Sequence, residues 1–289
     1  MPDVLSTNSR FSWPSGNEGD LAAYDQLLGQ EVIQEHGVFW RCVRPFFYRP
    51  LLMFRAYPVN SIAPPPLARW GGFQHAVPAG EPSNSRLNLL LFENRPHYSV
   101  RDLDYNRRRQ VRIAEGKFEI RPMTDASEFA RKAYPVYLSF YERTRYAYGE
   151  QRRTRAIFES WADGLFRLPN LVVLGGYQGE TLGGVSVSMR IDETLLYLTY
   201  FCDSESLRGN LSDLMLHEIR RAAAPCREIR HIYSGTYKGT NANFYLLRGC
   251  ECIPVPAQLC LNPVSAYIVN HFMPRLRARL VGSDGPANP

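Results

Sequence analysis

Residues 171–211 read LVVLGGYQGETLGGVSVSMRIDETLLYLTYFCDSESLRGNL, and this stretch decides the fold. It contains three apolar runs rich in β-branched and aromatic residues, which predict three strands, namely Leu171–Tyr177, Leu182–Met189 and Thr194–Cys202. The segment Gln178-Gly179-Glu180-Thr181 joins the first two runs and is typical of a tight hairpin turn. The third run enters a polar loop over residues 203–210, and an amphipathic helix is predicted from Leu211 to Ala224.

The segments on both sides of this stretch extend the pattern in a regular order. Upstream, the sequence predicts a short strand and two helices, over Phe118–Pro122, Asp125–Arg145 and Gln151–Phe166. Downstream, it predicts a strand, a short helix and a final strand, over Ile229–Ser234, Asn241–Arg248 and Glu251–Leu261. The predicted order from residue 117 to 262 is therefore β, α, α, β, β, β, α, β, α, β.

The first hundred residues have a different character. Residues 1–19 are rich in Ser, Asn, Pro and Gly and predict a disordered tail, and Asp20–Glu35 predicts a short helix. Between residues 37 and 95 helical signals are scarce, and β-branched and aromatic runs predict a small β-rich unit. Arg101–Glu115 then predicts a basic helix that ends at Gly116.

Composition excludes several classes of protein. The chain has 289 residues, of which 45% are hydrophobic and 21% are charged, so it is neither disordered nor too short to form a core. It has no run of about 18 apolar residues that could span a membrane, and its start lacks the basic and apolar regions of a signal peptide. The six cysteines lie mostly in apolar runs, which predicts reduced thiols, a cytoplasmic location and no stable membrane insertion.

Catalytic motifs of other enzyme classes are missing from the sequence. There is no G-x-S-x-G, P-loop, H-E-x-x-H or G-x-G-x-x-G motif, which disfavours hydrolases, nucleoside triphosphatases, metalloproteases and dinucleotide-binding enzymes. Cys250 and Cys252 are separated by one residue rather than by the two of a paired zinc motif. We therefore predict no metal site.

Two short motifs carry a family resemblance. Ser206-Leu207-Arg208-Gly209-Asn210-Leu211 lies between a predicted strand and a helix, and Tyr245 precedes Gly249 by four residues before the last strand. With the order of elements, these motifs resemble the GCN5-related N-acetyltransferase (GNAT) superfamily. The β-rich start followed by an arginine-rich helix is similar in layout to its FemABX-like and BioF2-like acyltransferase branch. Fold resemblance alone does not determine function.

The resemblance implies the architecture. It predicts an α+β fold, in which a GNAT-like mixed sheet flanked by helices is preceded by a smaller degenerate β-rich domain, half of a GNAT fold in outline. The predicted domains are residues 20–116, including the basic linker helix, and the acyltransferase domain over residues 117–282. Residues 283–289 are predicted as a second tail.

The resemblance also implies catalytic groups. Transfer of an acyl group to an amine needs a base, a backbone donor for the oxyanion and an acid for the leaving group. Tyr245 matches the family's acid, strand 194–202 would supply the backbone donor, and Asp203 and Glu205 are the nearest carboxylates. The alternatives are a tyrosine that only packs and hydrogen-bonds, and carboxylates that are solvated in a turn.

The loop before the predicted helix corresponds to the family's pyrophosphate-binding loop. The resemblance therefore predicts coenzyme A contacts, as an acyl-CoA donor, from Ser206, Leu207, Arg208, Gly209 and Asn210. The loop departs from the family pattern, since a serine stands at the leading position and the bulky Leu211 at the last small one. Asp213 also adds negative charge in the first helical turn, where an anion would bind.

Charge is concentrated in two stretches. The net charge is +6, whereas residues 101–112 hold five arginines against two aspartates, and residues 131–155 hold seven basic against two acidic residues. Such a surface suits an anionic partner, and we predict tRNA contacts through Arg107, Arg108, Arg109, Arg152 and Arg153. A solvated helical face is the alternative. An aromatic and cationic neighbourhood predicts acceptor binding by Tyr141, Arg143, Arg145 and Tyr146.

These observations predict an acyltransferase. It would move an acyl or aminoacyl group from a thioester or ester donor, acyl-CoA first, onto a small-molecule or peptide amine. Two alternatives are an aminoacyl-tRNA-dependent aminoacyltransferase and a catalytically inactive GNAT-fold module that binds RNA or protein.

Overall fold

The computed structural model describes residues 11–144, 147–239, 242–283 and 285. Its strands in chain order are β1 Ser15–Gly16, β2 Val32–Glu35, β3 Val38–Arg44, β4 Phe47–Pro50, β5 Gly72–Ala76, β6 Ser85–Glu93, β7 Glu119–Pro122, β8 Leu171–Gln178, β9 Thr181–Ile191, β10 Thr194–Cys202, β11 His231–Thr236 and β12 Glu251–Leu261. Its α-helices are α1 Glu18–Leu27, α2 Tyr105–Glu115, α3 Ala126–Thr144, α4 Arg155–Arg167, α5 Ser204–Arg208, α6 Leu211–Ala223, α7 Ala242–Leu246, α8 Pro263–Phe272 and α9 Pro274–Val281. Three 3-10 helices cover Pro66–Trp70, Val100–Asp102 and Ala147–Arg153.

The chain forms two compact units. The first unit comprises Met1–Asn17 and Phe92–Tyr233, and the second comprises Glu18–Leu91 and Ser234–Pro289. This division differs from the predicted boundary at residue 116, since α2 lies in the first unit and the chain from Ser234 onward lies in the second. The physical reason is strand pairing: β12 pairs with β5 and β6 of the N-terminal segment.

The first unit contains a mixed sheet in the order β11-β10-β9-β8-β7, with β1 parallel to β9. β10 is parallel to β11, whereas β7, β8, β9 and β10 pair antiparallel in sequence. The central strand β9 is buried along nearly its whole length. Its side chains alternate between the apolar Val185 and Val187 on one face and the buried Ser186 and Ser188 on the other, as expected for a strand covered on both faces.

An aromatic core holds α3 and α4 of the first unit together. The rings of Phe129 on α3 and Phe158 on α4 stack with centroids 5.8 Å apart, and Trp161 meets Phe158 edge-on at 5.2 Å. Phe201 of β10 packs edge-on against Tyr137 at 5.5 Å, which ties the helices to the sheet. These aromatic residues of α3 and α4 are therefore core residues.

The second unit contains a sheet in the order β2-β3-β4-β5-β12-β6. β12 lies between β5 and β6 and is antiparallel to both, so that Ala257 is paired with Ala76 on one side and with Ser85 on the other. Trp40 is fully buried at the centre of one core cluster, and α8 and α9 pack on a second cluster through Val269 and Leu280.

The predicted fold class is confirmed, because the first unit is a mixed sheet flanked by helices and the second is β-rich. Three local predictions need correction. The helix predicted over Asp20–Glu35 ends at Leu27, where Gly29 takes a left-handed conformation (φ 74°) and β2 follows. Residues 11–19, predicted as tail, contain the buried Phe11 and Trp13 and strand β1. The predicted loop over residues 203–210 contains α5. Among the described residues, no helix is long and apolar enough to cross a membrane.

Candidate functional site

The second half of β10 is no longer paired with β11, and it contains a β-bulge in its pairing with β9. β10 and β11 pair over three residues only, from Thr194 opposite His231 to Leu196 opposite Tyr233. On its other side, β10 pairs with β9 through a register shift, in which Tyr197 faces Ser188 and Thr199 faces Val187. Leu198 is therefore the extra residue of a bulge, a place where backbone groups leave the ladder and can bind a ligand.

The bulge also aligns two tyrosines. Residues three apart on a regular strand point to opposite faces, but one extra residue between them brings both to the same face. The rings of Tyr197 and Tyr200 accordingly stack with centroids 6.2 Å apart. Burial raises the pKa of Tyr200 well above its usual value, so this hydroxyl is neutral at physiological pH.

The predicted base Asp203 caps a helix. One carboxylate oxygen accepts a hydrogen bond from the Ser206 backbone N–H at 2.7 Å, and the other accepts one from the Ser206 hydroxyl at 3.1 Å. Aspartate is among the preferred residues at the start of a helix because its side chain satisfies such N–H groups. Asp203 thus fixes the start of α5, and Glu205 lies exposed on the same helix.

The five residues predicted to bind coenzyme A form a closed turn instead of an open anion-binding loop. Besides the Ser206 N–H, the N–H groups of Leu207, Gly209 and Asn210 donate to the carbonyls of Asp203, Glu205 and Leu207, respectively, at 2.9–3.1 Å. Arg208 lies exposed at the end of α5. Gly209 packs under Phe118, whose ring atoms would lie 2.8 Å from an added Cβ. Its lack of a side chain therefore serves packing.

The first turn of α6 is filled by protein groups. Asp213 is 6% exposed and forms an ion pair with Arg107 of α2 at 3.4 Å. Leu211 is fully buried, and its methyl groups lie where a Cβ on Gly176 or Gly184 would be. Glycines on β8 and β9 thus make room for the bulky residue that departs from the family pattern. The bonded loop N–H groups and the carboxylate at the helix start differ from an open diphosphate-binding loop, and the coenzyme A contacts stay a prediction.

The predicted acceptor residues fall into two groups. Arg143 donates to the Ser204 hydroxyl and to the Cys202 carbonyl, both at 3.2 Å, and thereby holds the end of α3 against the end of β10. Tyr141 lies under the Arg153 guanidinium, 4.9 Å from the ring centroid. The side chains of Arg145 and Tyr146 lie outside the described residues.

A cleft of about 410 Å³ lies beside α5. It is lined by three of the predicted residues, Glu205, Arg208 and Gly209, and by three that the sequence did not indicate, Lys117, Phe118 and Gln178. No motif signals the latter three, since Lys117 and Phe118 precede β7 and Gln178 is the last residue of β8. Two cations and one carboxylate give this cleft a net positive lining.

The predicted tRNA-contacting arginines separate into a half-buried group, Arg107, Arg108 and Arg152, and an exposed group, Arg109 and Arg153. Arg107 points to Asp213, and Arg152 lies over the rings of Tyr137 and Trp161 at 5.2 and 4.8 Å. Arg108 donates to two carbonyls before α2. The exposed part of α2 forms a groove of about 310 Å³, lined by Tyr105, Arg108, Arg109, Arg112 and Ile113. Tyr105 is 77% exposed there, so the groove offers cations beside an open aromatic ring.

The predicted acid Tyr245 lies on α7, in the second unit. Its ring packs edge-on against Phe244 at 5.0 Å, and its carbonyl accepts hydrogen bonds from the N–H groups of Arg248 and Cys250. Gly249 has a φ of 83°, a conformation that few other residues adopt. The spacing between the tyrosine and the glycine thus corresponds to a helix that ends in a left-handed turn.

One cluster in the first unit has the residue types of a metal site. The ligand atoms of Glu115, His217 and Glu218 lie within 4.8 Å of one another. However, Arg221 binds Glu218 at 2.6 Å, and the Tyr98 hydroxyl lies 3.0 Å from His217 Nδ1. Burial, with Arg221 and Arg220 nearby, lowers the pKa of His217 to about 4. The buried His217 and Glu218 therefore have protein partners, whereas Glu115 is exposed.

Comparison with known proteins places this geometry in a known fold. No protein-family model matches the sequence, and no curated protein matches it. Among solved structures, FemX aligns with a TM-score of 0.56 and 8% identity over 94% of this chain and 99% of its own. A domain described as the C-terminal domain of a lysylphosphatidylglycerol synthetase from Agrobacterium fabrum aligns with a TM-score of 0.53 and 8% identity, over 93% of this chain and 94% of its own.

A third structure, a protein of unknown function from Bacteroides thetaiotaomicron, aligns with a TM-score of 0.52 and 10% identity, over 85% of this chain and 90% of its own. At such identities the likeness establishes the fold. The predicted similarity in layout to the FemABX-like branch is confirmed at the level of the fold, and activity has to be argued from the site.

Proposed function

We propose that this protein is an acyltransferase that moves an acyl or aminoacyl group onto an amine. The observation that carries the proposal is the bulge at Leu198, which lies where β10 has left β11. A bulge turns backbone N–H groups away from the ladder, and an N–H group held in this way can stabilise the oxyanion of acyl transfer. On the other side of β10, the hydrogen bonds to β9 hold this backbone N–H group in place.

In the proposed reaction, the nitrogen of the acceptor amine attacks the carbonyl carbon of the donor. The Leu198 N–H donates a hydrogen bond to the oxygen that becomes negative. The carbon–nitrogen bond forms, the bond to the leaving thiolate or alkoxide breaks, and the leaving group takes up a proton. The family position of Tyr245, in the second unit, predicts a tyrosine acid as the source of this proton. Asp203 is committed to the start of α5, so we assign it no proton transfer.

The closed turn at α5 bears on the identity of the donor. Coenzyme A would need an open set of N–H groups before α6, whereas those of Leu207, Gly209 and Asn210 are bonded within the chain. A donor without a diphosphate at this position agrees better with these contacts. We therefore propose an aminoacyl ester of tRNA as the donor, bound through the exposed arginines and Tyr105 of the α2 groove. Arginine and an open aromatic ring suit phosphates and an unpaired base.

A binding experiment separates the donors. Filter binding with total tRNA would compare the protein with an Arg109→Glu and Arg112→Glu variant, and with a matched control that carries Arg131→Glu and Arg167→Glu. All four arginines are exposed in the first unit. We expect only the α2 variant to bind tRNA more weakly. Its slope of binding against salt should be shallower by about 0.7–0.9 for each phosphate that the variant no longer neutralises.

Coenzyme A and acetyl-CoA are the competing donors. We expect neither to raise the melting temperature of the protein at millimolar concentration, because a ligand stabilises only the state that binds it. A clear shift with either would restore the predicted acyl-CoA donor and show that the α5 turn opens.

A third outcome is binding without reaction. Tight tRNA binding with no transfer from any charged tRNA would favour the inactive RNA-binding module. A cytoplasmic location remains part of the proposal, since none of the six cysteines, all among the described residues, forms a disulfide.

A further inference from the structure

The second unit exposes an apolar helical face. Four large apolar side chains of α8 are 43–70% exposed, namely Val264, Tyr267, Ile268 and Phe272, and we call them the α8 face. At 100° per residue they occupy a stripe about 140° wide on the helix. Val269, on another side of α8, is buried against the core with Phe47 and Leu280. The α8 face is thus a second apolar side of a helix that already has a buried one.

Neighbouring segments add further exposed apolar residues. The Trp70 carbonyl accepts hydrogen bonds from the side chains of Asn262 and Ser265 at the start of α8. Trp70 itself is 59% exposed, and Leu67, one 3-10 turn earlier, is 43% exposed. Gly71 follows Trp70 in the chain, and the turn that carries Phe46 packs against it.

Phe46 is unusual in its conformation as well as its exposure. It has a φ of 62° at the turn between β3 and β4, and its side chain is 47% exposed. A large aromatic residue rarely adopts this left-handed conformation, and strain of this kind concentrates at functional positions. An exposed ring gains little from packing within the chain, so its contribution to folding does not account for it.

The charged residues of α8 and α9 are all of one sign. Residues 263–281, which cover α8 and α9, contain no aspartate or glutamate and contain Arg275, Arg277 and Arg279. These three arginines are exposed on α9, and Arg69 lies over the Trp70 ring, 5.3 Å from its centroid. The face therefore needs a partner that accepts apolar side chains and supplies negative charge.

We propose that the α8 face docks this protein onto the surface of an anionic lipid bilayer. Interfacial binding combines an apolar helical face, aromatic rings at the level of the headgroups and basic residues that attract anionic lipids. α8 has ten residues and is about 15 Å long, so it lies in the interface instead of crossing about 30 Å of hydrocarbon. A second copy of the chain fits less well, because a two-fold contact would bring the same arginines together.

Co-sedimentation of the full chain with vesicles tests the proposal. The vesicles would contain phosphatidylcholine alone or an equimolar mixture of phosphatidylcholine and phosphatidylglycerol. We expect binding to the mixed vesicles only, weakened by 0.5 M NaCl. Arg275→Glu with Arg277→Glu should reduce the partition coefficient at least ~25-fold, from about 1 kcal/mol for each arginine at tenfold per 1.4 kcal/mol. Tyr267→Ser with Phe272→Ser should reduce it by roughly tenfold or more.

Matched variants of the first unit serve as controls. Ile157→Ser changes a residue with 44% exposure on α4, and Arg131→Glu with Arg167→Glu makes the same change in charge as the α9 variant. Both controls should sediment with vesicles as the unmodified chain does. Circular dichroism should show unchanged folding, because all the substituted residues are exposed.

Two results would overturn the proposal. One is equal sedimentation of the α8-face variant and the controls. The other is a dimer, seen by analytical ultracentrifugation, that Tyr267→Ser with Phe272→Ser dissociates while the unmodified chain does not bind vesicles. The second result would assign the face to contacts between copies. Neither result bears on acyl transfer, because vesicle binding is measured without any donor or acceptor.

Discussion

The effect of Gly176→Ala on the stability of the first unit should depend on Leu211 of the adjoining helix α6. A Cβ on Gly176 would lie 2.5 Å from Leu211 Cδ1, 3.0 Å from Cδ2 and 3.2 Å from Cγ, and these are its three nearest neighbours. Contacts below 3.0 Å force side chains or backbone to move. In the unmodified chain, Gly176→Ala should therefore destabilise the first unit by about 1–3 kcal/mol through overpacking.

The change in the free energy of unfolding caused by Gly176→Ala should reverse its sign when Leu211 is shortened. Leu211 is fully buried, so Leu211→Ala should cost about 3 kcal/mol through reduced burial and a cavity. In that background, the Cβ of Gly176→Ala enters empty space, and alanine is favoured over glycine in a strand by about 0.5–1 kcal/mol. The double-mutant cycle should give a coupling energy of roughly 2–3 kcal/mol, far above the ~0.5 kcal/mol expected for independent sites.

Hydrogen exchange of the amides in β8 and β9 measures the free energy of opening within the first unit. Gly183→Ala is the matched control. Its Cβ would collide with the Ser206 hydroxyl and lies 3.4 Å from Leu211 Cδ2, so it should destabilise by a similar amount with or without Leu211→Ala. Additive effects of Gly176→Ala and Leu211→Ala would refute the argument that glycines on these strands make room for Leu211. They would also contradict the description of the first turn of α6 as filled by side chains of the protein.

Two further predictions concern Tyr245 and His217. Tyr245→Phe keeps the ring that packs on Phe244, so the melting temperature should hold while turnover falls by ~10²–10⁴ in a transfer assay, and an unchanged rate would remove Tyr245 from catalysis. The pKa of His217 is lowered to about 4 in the fold, so the unfolded chain binds the proton first as pH falls. The free energy of unfolding should therefore decrease by about 3 kcal/mol between pH 6.5 and 4 in urea titrations, and His217→Gln should flatten that decrease. An equally steep decrease in His217→Gln would assign the pH dependence to other groups.

Local patterns predict the elements of the first unit well. The strand run from Leu171 to Cys202 and the helix from Leu211 follow from periodicity and turn residues, and the structure confirms them within a few residues. The placement of β12 could not be predicted in this way, because its apolar pattern gives a strand but does not give its neighbours in the sheet. That α2 belongs to the first unit, and the segment before it to the second, also depends on which distant segments pair.

The candidate site is predicted less completely. Asp203 is indicated by its place directly after the predicted strand and Gly209 by its place in a motif, and the structure shows that Asp203 caps α5 and that Gly209 packs under Phe118. Arg107 carries a charge that suggests a polyanion contact, but its partner Asp213 is 106 residues away in sequence. Charge and motif spacing identify the residues involved, whereas their partners depend on contacts between distant segments.

The proposed role of the Leu198 N–H can be tested by removing it. Leu198→Pro deletes this one donor at a bulge, where proline is tolerated, and Leu198→Ala shortens the side chain but keeps the N–H. Release of the acyl group would be measured from charged tRNA and from acyl-CoA donors in the presence of amine acceptors. The account predicts that charged tRNA is consumed by the unmodified chain and by Leu198→Ala, and that Leu198→Pro is ~10²–10³ slower while still folded. Equal rates for the two variants, or no consumption of either donor class by the unmodified chain, would contradict it.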